Sequence, residues 1–226
     1  AHWADTISIF QKSVFWPLVL PVPTVLLVIL IGAVVLIPRS VETNARDNAV
    51  RAGKKTVQQF KSLRGYYTRS VIKKTVANGK PLKPSYNHKT MEDGIPLPAT
   101  FIHDMSELLK EEATSISLYS GYPFPNRAER QLDEFQAAAW NYLIKNPEKT
   151  FSRQESRDGK PVVRVAVADR MVADACVNCH NTIAGSPKVD WKLGDVRGVL
   201  EVSSDIGATI TAGNKLSTTI ILAIIV

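Results

Sequence analysis

Cysteine occurs only twice in this chain of 226 residues, and histidine follows the second directly, in Cys176-Val177-Asn178-Cys179-His180. Two thiols at this spacing can both reach the edge of one flat macrocycle, and the adjacent histidine is then brought beneath a metal at its centre. This is the pattern of c-type haem attachment, in which the thiols form thioethers with the haem vinyl groups and the histidine ligates iron. Three other chemistries use close cysteines. A structural zinc needs four ligands; His88 or His103 could join the set, but the chain has no second Cys-x-x-Cys and no His-x-x-x-His. A reactive dithiol wants a strand running into a helix that opens at the first cysteine, and no such step is legible around Cys176. A plain disulfide is the third. The reading carried forward is one covalent haem c on Cys176 and Cys179, with His180 as the proximal iron ligand.

The opposite face of such a haem has several candidates. His103 falls in the first turn of an expected helix, where the dipole disfavours added positive charge and so favours a neutral, ligating imidazole; it could instead bond a propionate or a backbone carbonyl. Met171 is close in sequence to the cysteines but equally suits the core, and Met105 and His88 are further alternatives. Arg64, Tyr66 and Tyr67 could line a distal pocket, or simply pack as helix residues. Arg127, Lys89 and Lys188 could pair with the two haem carboxylates, or be solvated surface charge.

These residues need a scaffold. Ser40 to Ala77 contains no proline, and Val50, Val57, Arg64 and Val71 recur at heptad spacing with Phe60 and Tyr67 between them, predicting one long helix packed on its own domain or in a coiled coil. Asn78-Gly79-Lys80-Pro81 ends it, and the stretch to Pro98 reads as an irregular loop. Thr100 can cap a helix over 101–110, and a further helix is expected over 128–145, with the strand Ile116 to Tyr119 between them. Thr150 to Glu155 and Pro161 to Ala168 flank Asp158-Gly159, a hairpin signal, and Val196 to Ser203 is a last strand. Helices followed by neighbouring antiparallel strands predict an α+β fold.

Charge is segregated. Ser13 to Pro38 is uncharged over 26 residues, about 39 Å as a helix, enough to cross a hydrocarbon core of about 30 Å. A cleavable signal peptide would be shorter and followed by a small-x-small site. Leu216 to Val226 is uncharged and mostly apolar, and reads as the start of a second membrane helix in a chain that continues further. Between Arg39 and Lys215 lie 27 of the 28 Lys and Arg and 20 of the 21 Asp and Glu, so the net charge of +7 belongs to this region. The basic excess alone would hold it in the cytoplasm, but long domains escape that rule, and haem c attachment takes place outside the cytoplasmic membrane. The expected organisation is therefore a cytoplasmic 1–12, a membrane helix 13–38, a periplasmic domain 39–215 and the second helix from 216, in a bacterial inner membrane. The basic residues are spread without a nucleic-acid-binding motif, so no nucleic-acid partner is expected.

The ordered set Pro96-Leu-Pro-Ala-Thr-Phe-Ile-His103, Leu118-Tyr-Ser-Gly-Tyr-Pro-Phe-Pro-Asn-Arg127, Arg164-Val-Ala-Val-Ala-Asp169, Cys176 to His180 and Ser186-Pro-Lys-Val-Asp-Trp-Lys-Leu-Gly-Asp195 resembles the periplasmic, PAS-like haem c sensor domains of bacterial chemotaxis receptors, histidine kinases and nucleotide cyclases. The resemblance spans about residues 40–210. It implies a PAS-like antiparallel sheet behind a long N-terminal helix, one covalent haem, a dimer, and sensing of redox state or of a gas such as CO, NO or O2. Some relatives use cysteine or methionine as the second axial ligand; a third cysteine is absent here, so thiolate ligation is excluded. No catalytic activity is expected in this segment, although a cyclase or kinase could follow it. A membrane-anchored electron carrier is the alternative function, and a peroxidase-like enzyme lacks an evident distal acid/base pair.

Overall fold

The computed structural model describes residues 21–77, 81–109 and 114–225. They divide into two units, one formed by the described residues up to Ala45 together with those from Ala208 on, and the other by those within 46–207.

Helix α1 (Pro21–Tyr67) begins at two prolines in its first turn, where a missing N–H is tolerated, and continues through Pro38. A five-residue π-helical segment (Thr68–Ile72) and the short helix α2 (Lys73–Ala77) prolong it. Among the described residues, Pro21–Ala77 is the one helix long and apolar enough to cross a membrane. Residues 1–12 and the part of the expected membrane segment before Pro21, including Trp16, lie outside the described residues, as do residues 78–80, where the helix was expected to end. At the other end, helix α6 (Gly207–Ile225) starts nine residues before the apolar run that announces it, directly after the last strand.

In the unit 46–207, α1 buries Val57, Phe60 and Arg64, the phase expected of a helix packed on its own domain. The expected loop before Pro98 is more ordered than its composition suggests: β1 (Lys83–Ser85) and β2 (Gly94–Pro96) form a parallel pair. Three-residue strands containing Pro84 and Pro96 show no alternation that could reveal them. Helix α3 (Pro98–Leu108) uses Pro98 as its first residue and Leu97 as its cap, so the expected Thr100 cap is instead buried in the first turn. Lys110 lies outside the described residues.

The main sheet has the order β3 (Thr114–Tyr119), β6 (Val196–Asp205), β5 (Lys160–Arg170), β4 (Thr150–Arg157), antiparallel throughout. With the helices this is the expected α+β fold behind a long N-terminal helix. Asp158 and Gly159, with φ of 52° and 74°, make the β4–β5 turn; two positive φ angles match the right-handed twist of a hairpin. Alternation sends Ile116, Leu118, Leu200 and Val202 to the face covered by α1 and α3, and Tyr119, Val199, Ala166 and Ala168 to the other, under Phe135, Ala139 and Leu143 of helix α4 (Glu134–Leu143). That helix begins later than the expected residue 128 because Asp133 and Gln136 close a capping box. Asp133 also binds the buried Arg164, which salt-bridges Glu155 and Glu201 and lies over the Phe135 ring.

Candidate functional site

Helix α5 (Asp174–Thr182) carries both cysteines, and it follows β5 after only three residues. The strand-to-helix step that sequence does not reveal is therefore present, with Cys176 in the first turn of the helix. Burial, and then the neighbouring Cys176, push the Cys179 thiol upward, away from the thiolate form that a nucleophilic cysteine uses. Both cysteines are free. Among the described residues no group of three His, Cys, Asp or Glu side chains is arranged to hold a metal ion, so the donors for a four-ligand zinc do not converge.

Cys179 and His180 instead line a cavity of about 560 Å3. Its walls are mainly apolar, with Pro98, Leu118, Phe124, Pro125 and Ile183 among them, and its polar residues include His103, Arg127, Arg130, Arg64, Asp169 and Arg197. The His180 ring is edge-on to Phe124 at 5.8 Å and to Trp191 at 6.4 Å. Asn181 fixes Trp191 there, its side chain accepting from the Trp191 N–H at 2.9 Å and donating to the Trp191 carbonyl at 3.1 Å. Ser186 donates to the His180 carbonyl at 2.5 Å and so closes the end of α5. Burial, then Arg197, lower the His180 pKa to about 4, and burial, then Arg127 and Arg130, do the same for His103. Both imidazoles are therefore neutral near pH 7 and keep a lone pair for a metal or a hydrogen bond.

Behind Cys179 lies a buried charge cluster. Asp169, near the end of β5, accepts from Arg64 of α1 at 2.9 Å and from Arg197 of β6 at 3.0 Å. Burial pushes this carboxyl upward, but Arg197 and Arg64 outweigh it and hold it well below the usual carboxylate range. The β5–β6 register slips at this point, Asp169 pairing Gly198 while Arg170 pairs Val196, so Arg197 is the extra residue of a bulge. A bulge re-aims its side chain, and here Arg197 meets both Asp169 and the sulfur of Cys176. Lys61, one turn before Arg64, donates to the Ala168 carbonyl at 3.1 Å.

The cavity unites Cys179, His180, His103, Arg64 and Arg127 from the sequence reading. Cys176 stands half-buried against Arg197 beside it. Tyr66 and Tyr67 do not line the cavity: Tyr66 is 65% exposed, and Tyr67 stacks on Phe101 and donates to the Pro96 carbonyl at 2.7 Å. Once α1 turns Phe60 and Arg64 inward, Tyr66 must face away. Met171 is a fully buried core residue outside the lining, its backbone tied to Asp195 and Gly194, so it cannot reach the cavity as a ligand. Met105 packs in the α3 core and His88 pairs with Asp104 at 2.8 Å. Lys89 binds Asp104 and Glu107, and Lys188 binds Asp190 with its ammonium 5.0 Å from the Trp191 ring centroid; neither lysine is part of the lining itself. Sequence reasoning assigns no role to Asp169, Arg130, Arg197, Phe124 or Trp191, although Asp169, Phe124 and Trp191 fall within the motifs that carry the family resemblance.

The donor set suits a covalently held porphyrin: thiols and a neutral imidazole at one end, apolar walls, and cations for carboxylates. The family model Tll0287-like matches residues 42–204. Among solved structures, the cyanobacterial haem-protein Tll0287 aligns at 14% identity over 67% of this chain and 91% of its own, with a TM-score of 0.44. No curated protein matches the chain.

Proposed function

Because the chain belongs to the Tll0287-like family, we propose that residues 46–207 form a haem c sensor domain, held to a bacterial inner membrane by α1 and facing the periplasm. Cys176 and Cys179 would hold the haem as thioethers and His180 would ligate its iron. When bound, the haem supplies a redox-active iron able to take a diatomic gas. The observation that carries the reading is the convergence of Cys179 and His180 on one largely apolar cavity whose lining also holds His103. The family's namesake is described as a haem-protein, which agrees with that chemistry.

The chain's own residues have distinct tasks. Apolar walls exclude water, Asn181 and Trp191 hold the α5 end in place, and His103, neutral and in the same lining, would offer a contact that an external ligand can displace. Arg64 joins α1 to the cavity through Asp169, so a change in the charge or shape of the cavity acts on the helix that also carries the apolar stretch. A ligand shifts such an equilibrium only as far as it binds the two arrangements differently, and a displaceable contact provides that difference. Absorption spectra of the reduced protein with and without carbon monoxide test this function. The expected result is a shift at saturating gas, and an easier shift in His103→Ala. An unchanged low-spin spectrum in both proteins would contradict gas sensing and favour redox sensing or electron transfer.

A further inference from the structure

The cavity lies across one end of the main sheet, and the strand order gives its two sides different chemistry. Asp169 is on β5, Arg197 and Gly198 are on β6, and Leu118 and Tyr119 end β3 on the far side of β6. Strands are about 4.8 Å apart, so the β5 and β3 sides are separated by about 10 Å. Helix α5 follows β5; its two cysteines stand near Arg197, while the His180 ring reaches Phe124 in the loop after β3. On the β5 side the cations are already satisfied, since Arg64 and Arg197 share the Asp169 carboxylate.

The β3 side differs. Arg127 and Arg130 line the cavity there with His103, and among the described residues neither guanidinium forms an ion pair with a carboxylate. Asp104 and Glu107 act on Arg127 only from a distance, whereas burial and then Arg130 push its pKa down, as expected of like charges brought together without a local counter-charge. Arg130 is held for a purpose other than pairing: one nitrogen donates to the Leu118 carbonyl at 2.9 Å and the group lies 5.9 Å from the Tyr119 ring centroid. Most of its five N–H donors remain for a ligand.

We infer that Arg127 and Arg130 are a carboxylate clamp that fixes the direction in which a dicarboxylate porphyrin lies in the cavity. The inference rests on the haem reading above. A haem has its vinyl groups on one edge and its two propionates on the opposite edge, so cysteines on α5 direct the propionates towards the β3 side. Paired guanidiniums suit carboxylates by their planar donor geometry, and their charge is otherwise uncompensated. Lys89 and Lys188 already have carboxylate partners and do not line the cavity.

The test uses the full chain produced without attached haem, titrated with haemin or with haemin dimethyl ester, whose carboxylates are blocked. The wild-type chain should bind haemin about tenfold to a hundredfold more tightly than the ester, the range of charge-assisted hydrogen bonds. Arg127→Gln/Arg130→Gln should bind the two porphyrins alike, and Arg127→Lys/Arg130→Lys should recover part of the preference. The wild-type comparison changes only the ligand, so it does not depend on a variant folding. Equal, saturable binding of both porphyrins by the wild-type chain would overturn the clamp and leave the haem reading intact. Binding of neither would overturn both.

Discussion

Replacing Asp169 by asparagine removes the carboxylate that Arg64 and Arg197 share, and leaves two guanidiniums in a buried position without a counter-charge. Breaking a buried pair in this way costs about 3–5 kcal/mol, so the denaturation midpoint of Asp169→Asn should fall accordingly. The pH dependence has a definite sign. Arg197 and Arg64 hold the native carboxyl below its unfolded value of about 3.9, so its contribution is complete above that pH and is lost as the pH falls through the lower native value. Denaturation of the wild type should therefore steepen below about pH 4, and that extra acid sensitivity should be absent from Asp169→Asn. None of this is readable from sequence, because Asp169 stands 105 residues from Arg64 and 28 from Arg197. The cysteine and histidine chemistry is local and therefore legible; the charges around it are gathered by topology. Tyr66 shows the same limit, since its side of α1 depends on which residues the sheet accepts.

At the scale of elements, α1 sits close against the sheet at Gly53, where an added Cβ would come within 2.9 Å of a Val165 methyl group. Gly53→Leu should destabilise the chain by about 1–3 kcal/mol through overpacking, measurable as a lower urea midpoint. It should leave the proposed haem linkage to α5 unaffected, since Cys176 and Cys179 belong to another element. The hairpin at Asp158-Gly159 is legible because it follows from two adjacent residues, and the helical core stripe because Val57, Phe60 and Arg64 recur at helical spacing within one element. The β1–β2 pair and the start of α4 are not: the strands are too short to show a period, and the Asp133 capping box comes after a polar run that continues the helical pattern. Helix α5 is missed for a related reason, as Cys-Val-Asn-Cys-His has little intrinsic helical preference.

For the whole molecule, the proposed haem c reading predicts that residues 46–207 lie outside the cytoplasmic membrane, on the far side of the apolar stretch of α1. An alkaline phosphatase fusion after Ser120 should be active, and one that works only as a cytoplasmic reporter would contradict the placement. The claim on which every other proposal depends is that the two cysteines carry a haem beside His180. The intact-mass spectrum of the purified chain, taken after acid-acetone extraction, tests it most directly. The account predicts a mass raised by one haem in the wild type, which is lost in Cys176→Ala/Cys179→Ala; an unmodified wild-type mass in cells that mature other c-type cytochromes would contradict it.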